Sequence, residues 1–264
     1  MISLANPCRR GAAPFGMTAR VLFVFCAVLA AACAAENVTH SDWTGYYMLA
    51  RGRDAAGLNI VSPDLDKTVI EHLQPWAKLK MEATNGIADD TGAVCLAAGI
   101  LRVPGTPYSG NFYIVPMRDR VIMAYSLIAT SRVQRIYLDR PHPVDVTPSW
   151  NGHSIGHWEG DTLVVDTIGF NDKSWLSPGM TPHTEETHLI QRLRQVQHNG
   201  NTYMEIVGTV EDRHALTSAY TYSRYYKKQI QEMGESVCAD DVEMWKEWRN
   251  EALKKEYTRA RQVK

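Results

Sequence analysis

Strict two-residue alternation on both sides of a tight turn narrows what this chain can fold into more than any other feature. It occurs in the run Trp150-Asn-Gly-His-Ser-Ile-Gly-His-Trp-Glu-Gly-Asp-Thr-Leu-Val-Val-Asp-Thr167. His153, Ile155 and His157 alternate along one arm, Glu159-Gly160-Asp161 turns the chain, and Leu163, Val165 and Thr167 alternate along the other. Neighbouring side chains of a strand point to opposite faces, so this pattern reads as a β-hairpin with one buried face. The hairpin also carries a heavy polar load: imidazoles and the Asp166 carboxylate, framed by Trp150 and Trp158.

Similar alternation recurs along the chain. Strands are expected at 43–50, 109–116, 120–129, 132–138, 152–158, 162–168, 186–196, 201–211 and 217–228, most of them joined by short links as in antiparallel meanders. Residues 64–84 follow a helical pattern interrupted at Pro75, which suits the first turn of a second short helix, with Trp76, Leu79 and Lys80 along one side. Residues 241–262 read as an amphipathic helix with an apolar stripe of Val242, Trp245, Trp248, Ala252 and Leu253. That stripe suits packing on the chain's own domain, or an interface in a homodimer rather than a monomer. With 264 residues, 45% of them apolar, the chain can build one large core. The expected fold is mainly all-β: an antiparallel β-barrel or sandwich over 36–240, with short N-terminal helices and a C-terminal helix over 241–264. Asp42-Trp-Thr-Gly45 at the first strand gives it a lipocalin-like character, although the order of Gly and Trp is not the lipocalin one.

Residues 1–35 read as a signal peptide. Arg20 precedes the short apolar run Val21–Leu29, and small residues follow up to Ala35, with Met17 as an alternative start. The run falls short of the ~20 residues that span a bilayer, so the mature form is expected to have no transmembrane span. Cleavage after Ala34 or Ala35 gives a soluble periplasmic or secreted protein, whereas cleavage before Cys33 gives a lipoprotein. Removing 1–35 takes away Arg9, Arg10 and Arg20 and no acid from a chain whose net charge is already −1. With no basic stripe, nucleic acid is not expected as a partner. Past Cys33 only Cys95 and Cys238 remain, an even pair that points to a disulfide in an oxidising compartment, with two separate buried thiols as the alternative.

Two long connections flank the hairpin: 139–149, with three prolines and His142, and 169–185, with Trp175. Long loops in compact β domains are often functional. Asp166, mid-strand among apolar neighbours, needs a partner if it is buried. Pairing with His142, His153 or His183 would orient an imidazole as a general base. His183-x-Glu185-x-x-His188 offers a second cluster, for acid–base work or as three ligands of one divalent metal. On the strand that follows, His188, Ile190, Arg192 and Arg194 share one face, and Leu189, Gln191, Leu193 and Gln195 the other. His153 and His157 lie roughly 13 Å apart on one strand, too far for one metal. Tyr137, Trp150 and Trp175 could wall an apolar ligand, with Asn171 and Arg192 as polar contacts and Arg192 holding an anionic group. For each of these residues the structural alternative is ordinary core or surface. Gly152-His-Ser-Ile-Gly156 has the letters of a nucleophile elbow but sits in a hairpin, not a strand–turn–helix. No phosphate loop, dinucleotide fingerprint or cysteine metal cluster is present.

The run Gly152–Thr167 resembles the signature of a large family of exported bacterial proteins of unknown function, Gly-x-Ser-x-Gly-x-Trp-Glu-Gly-Asp-Thr-Leu-Val-Val-Asp-Thr. The resemblance extends from about Trp43 to Asp241. It includes Arg135-Ile136-Tyr137, His142-Pro143, Gly169-Phe170-Asn171-Asp172, His183-Thr184-Glu185, His188 and Arg192, with Cys95 and Cys238 where that family has cysteines. Gln191 and Asp212-Arg213 depart from the family's Glu and Asp-Pro, so no carboxylate acts at 191. The long C-terminal helix also looks like an addition. The resemblance implies export, and for some similar proteins action on aromatic, lignin-like molecules without a cofactor.

Three functions are therefore expected in competition. The first is a cofactor-independent lyase or isomerase using histidine and carboxylate chemistry on a small apolar or aromatic molecule in a barrel mouth. The second is a non-catalytic periplasmic ligand-binding protein. The third is a metal-dependent hydrolase or lyase.

Overall fold

Nine strands close into a barrel in sequence order: β1 (Gly45–Leu49), β2 (Asn111–Pro116), β3 (Arg120–Ser126), β4 (Arg132–Leu138), β5 (His153–Glu159), β6 (Thr162–Ile168), β7 (His188–His198), β8 (Asn201–Glu211) and β9 (Tyr220–Lys228). The structure is a computed structural model that describes residues 40–86, 89–91, 96–105, 110–126, 132–233 and 251. β1 pairs with both β2 and β9, so closure removes the sheet edges and the sandwich alternative falls away. The signal peptide at 1–35, Cys33, the Cys95–Cys238 pair and all of the 241–264 helix but Glu251 lie outside the described residues. No helix among the described residues is long and apolar enough to cross a membrane.

The strands expected at 132–138, 162–168 and 201–211 appear with those limits. β9 begins at Tyr220 rather than 217, because Asp212 ties residues 214 and 215 into a turn through their backbone N–H groups. Antiparallel pairing fails at one seam: β4 and β5 run parallel, with Ile136 opposite Ser154 and Leu138 opposite Gly156. A parallel pair cannot be joined by a hairpin, so residues 139–152 return along the barrel as a crossover.

Among the described residues three short α-helices accompany the barrel: α1 (Leu65–His72), α2 (Pro75–Ala83) and α3 (Gly99–Arg102). The Asp64 carboxylate caps α1 by accepting from Lys67 N–H at 3.1 Å, and Pro75 opens α2 where its missing N–H costs nothing. Trp76, Leu79 and Lys80 lie along the exposed side of α2. Ala77 is buried, whereas Trp76 is 42% and Leu79 66% exposed, because Trp76 lies along the turn after β8 and donates its indole N–H to His214 O at 2.7 Å.

The barrel interior is filled by side chains. Tyr47 stacks on Phe112 at 5.4 Å between ring centres, and Tyr226 and Tyr125 meet Phe112 edge-on at 4.9 and 5.8 Å. Leu163, Val165, Leu189 and Leu193 complete this core, all fully buried. A polar chain crosses the interior: Tyr125 O–H donates to Gln134 Oε1, and the Gln134 amide donates to Ser154 Oγ and Gln191 Oε1. Ser154 Oγ also bonds Thr167 Oγ1 at 2.8 Å. Buried polar groups joined this way specify register at little cost. Replacing Phe112 with alanine is expected to cost about 3–5 kcal/mol, read as a lower urea midpoint, because three aromatic neighbours lose their common contact.

Candidate functional site

The crossover after β4 positions the first functional residue. Pro141 and Pro143 bracket His142 and fix the backbone on both sides of it. The segment is pinned at both ends: Asp139 N–H donates to Gly156 O at 3.0 Å, and Ser149 N–H to Gly169 O at 2.9 Å. Gly169, at φ +71°, lies so close to Val146 that a Cβ there would come within 2.3 Å of Val146 Cγ1. The crossover is thereby held against the outer wall of the barrel.

That wall carries the second set of residues. On β6, Leu163, Val165 and Thr167 point inward, so Asp166 points outward. On β7, Leu189, Gln191 and Leu193 point inward and His188 outward; on β5, Ser154 points inward and His153 outward. The cluster therefore forms on the outside of the barrel wall, under the crossover, and not in the barrel mouth.

The geometry is a chain of hydrogen bonds. Asp166 Oδ1 lies 2.9 Å from His188 Nε2 and 3.2 Å from His142 Nε2, and His142 Nδ1 lies 2.8 Å from His153 Nδ1. His188 Nδ1 approaches Glu211 Oε2 at 3.6 Å. The hydrogen bond from His188 holds the Asp166 carboxyl below the usual carboxylate range. The same bond, against some desolvation, pushes the His188 imidazole above its ordinary value. Burial, with His142 and Arg140 nearby, pulls the His153 imidazole down.

With His142 neutral, these contacts set the proton positions. A carboxylate only accepts, so His142 donates to Asp166 from Nε2–H. Its Nδ1 is then bare and accepts from His153 Nδ1–H. His153 is left with its lone pair on Nε2, the arrangement of a general base whose far nitrogen is oriented by a second group.

His153 also lines a cleft of about 360 Å³ with Tyr137, Arg135, Trp150, Asn151 and Gln134. The cleft opens where β4 extends past the start of β5: pairing begins only at Ile136 and Ser154, so 132–135, paired with β3 on one side, meet the crossover's end on the other. Tyr137 stacks on the His153 ring at 5.3 Å and an interplanar angle of 20°. Arg140 and Arg120 stand over the Tyr137 ring at 5.1 and 5.5 Å. Gly152 is required at the corner of this cleft. Its φ is +64°, and a Cβ would come within 2.6 Å of Ile168 O.

Of the residues singled out in the sequence, the structure brings together His142, His153, Asp166 and His188, with Tyr137 and Trp150 beside them. His183 goes elsewhere. It is buried, bonds Ser174 Oγ at 2.8 Å, Thr184 O at 3.0 Å and Thr187 Oγ1 at 3.1 Å, and burial lowers its pKa. Glu185 is exposed. His183, Glu185 and His188 thus do not converge, because the turn at 184–187 sends His183 into the core and His188 out to Asp166 and Glu211. Among the described residues no group of three or more His, Cys, Asp or Glu is arranged to hold a metal ion.

Asn171 is buried and binds the backbone of its own turn through Lys173 N–H, and Trp175 is half-buried; neither lines the cleft. Arg192 pairs with Glu159 at 2.7 Å on the exposed outer face. Arg192→Ala is expected to leave the denaturation midpoint and any cleft binding unchanged, since exposed pairs contribute little. His157 likewise meets Glu159, at the rim.

Sequence reasoning missed Arg135, Asn151 and Glu211. Arg135 stands two residues before Tyr137 on the same outward face, and that spacing was legible. Asn151 and Glu211 needed the register of two seams.

No family model matches this chain, and no curated protein matches it either.

Proposed function

We propose that this protein is an exported, cofactor-independent enzyme of the lyase or isomerase type, with His153 as general base toward a small, largely apolar, aromatic-type molecule in the cleft. The observation that carries this reading is the hydrogen-bonded sequence His153–His142–Asp166–His188 ending at a cleft walled by Tyr137 and Trp150. Its volume falls within the range of small-molecule sites. When His153 Nε2 takes a proton from the ligand, the new imidazolium donates from Nδ1 toward His142, and the charge is balanced by Asp166. The same nitrogen returns the proton at the end of an elimination or isomerisation. Asp166 and His142 act as positioning residues.

The N-terminal charged, apolar and small-residue pattern supports export to the periplasm or beyond. The resemblance of Gly152–Thr167 to the signature of exported bacterial proteins supports membership in that family and a preference for aromatic, lignin-like molecules.

The test uses the full mature chain in deuterium oxide with a panel of phenolic, aryl-propanoid and terpenoid compounds, read by NMR. Deuterium incorporation at an acidic C–H, or turnover, is expected for some members. It should fall away on the acid side as His153 takes up a proton, below the ordinary imidazole range. Thermal stabilisation by panel members with neither exchange nor turnover would sink the catalytic reading and leave a binding protein.

A further inference from the structure

Two of the cations near the cleft have their charge answered. Arg120 bonds Asp119 at 2.6 and 3.0 Å, and Arg140 stands 3.8 Å from the same carboxylate. Arg135 differs. It is exposed, it lines the cleft, and among the described residues its guanidinium has neither an ion pair nor a hydrogen bond. A guanidinium presents a rigid fork of donors matched to the two oxygens of a carboxylate, or to a phosphate or sulfate. A second unmet group belongs to another residue of the same cleft: Asn151 lines it, and its Oδ1 is buried with no donor among the described residues. A buried carbonyl oxygen left without a donor is costly, so it marks a place where a bound molecule would present an O–H or N–H.

We infer that the cleft takes a hydroxylated anion: a small molecule whose acidic group pairs with Arg135 and whose O–H, or an N–H in its place, donates to Asn151 beside the His153 ring. The inference rests on the cleft being the ligand site of the proposed function and deepens it by naming the substrate class. Tyr137 and Trp150 also line the cleft, so the molecule's apolar body lies beside them and its charge at the Arg135 end. The arrangement also explains why Arg135 has no acidic partner among the described residues. A cation already paired with an acid would have to break that pair to meet an anionic ligand.

The test is a binding comparison on the full mature chain with para-hydroxybenzoate, its methyl ester and benzoate as probes, by calorimetry and by NMR of the His153 ring. Para-hydroxybenzoate is expected to bind roughly tenfold to a hundredfold more tightly than the ester, as a charge-assisted contact requires. Arg135→Gln should erase that preference, while Arg192→Gln, on the exposed face, keeps it. Asn151→Ala should erase the preference for para-hydroxybenzoate over benzoate. Equal binding of acid and ester, a preference untouched by Arg135→Gln, or no binding of any probe at millimolar concentration overturns the inference. The two readings fail separately. Arg135-dependent binding without exchange or turnover anywhere in the panel removes catalysis and keeps the anion site. His153-dependent exchange of neutral compounds, with Arg135 indifferent, does the reverse.

Discussion

Replacing His153 with glutamine is expected to lower turnover by about 10²–10⁴-fold while leaving the melting curve close to that of the parent. Glutamine can still meet His142 with its amide, so the crossover stays anchored, but an amide takes no proton near neutral pH. His153 stands on the outer wall and belongs to no part of the barrel core, which is why stability should be spared. The measurement is kcat against pH for parent and variant. In the parent the rate should hold through neutrality and fall only in acid, because burial pulls the imidazole down and keeps it neutral to lower pH. Asp166→Asn should act more weakly and differently. It removes the carboxylate that fixes His142, so the fall in rate should come with a shifted pH midpoint and less order in the crossover. A His153→Gln protein with undiminished turnover would place the chemistry elsewhere.

Asp212→Ala is expected to cost about 3–5 kcal/mol of folding stability without touching the cleft directly. This carboxylate is 3% exposed and accepts from five donors: Thr184 N–H at 2.7 Å, Thr184 Oγ1 at 3.0 Å, Thr187 Oγ1 at 2.8 Å, His214 N–H at 3.0 Å and Ala215 N–H at 2.9 Å. It ties the turn before β7 to the turn after β8, and the buried His183 rests on the same two threonines. Alanine takes the acceptor away from donors that are buried or half-buried, which costs more than the bonds themselves. Burial alone would push the carboxyl up, but the donors outweigh it and hold it below the usual range. A group with a depressed folded value contributes stability above its unfolded pKa and loses it as pH falls through the folded one. The parent should therefore weaken in acid, and the variant should show a flatter acid limb in urea titrations at several pH values. An unchanged urea midpoint would overturn this account of the 184–215 knot.

How much of this was legible beforehand follows from the range of each interaction. Alternation is local, so β4, β6 and β8 could be read from sequence to the residue, and so could the grouping of His188 with Arg192 on one face. Asp166 could be seen to need an imidazole partner, and His142 and His153 were among the candidates. His183 was a candidate as well, and only the turn that buries it against Ser174 and Thr187 removes it. Nothing in the spacing of residues 183–188 reports that turn, which is set by Asp212 from 28 positions away. The cleft was invisible for a similar reason. It exists where a seam begins late, and the order of strands around a ring is not written in the period of any one of them. The exposure of Trp76 reflects the competing pull of a single carbonyl, that of His214.

Counting chain direction around the ring shows why a segment lies over Asp166 at all. Each antiparallel seam reverses direction, and a closed circuit must return to its starting sense, so the number of reversals must be even. An odd number of strands cannot satisfy this with hairpins alone. With nine strands at least one seam must be parallel, and here it is the β4–β5 seam. An eight- or ten-strand meander would close with every link a short turn and a bare outer wall. The parity of the strand count thus obliges one stretch of chain to travel the height of the barrel, and that stretch carries His142 to its partners.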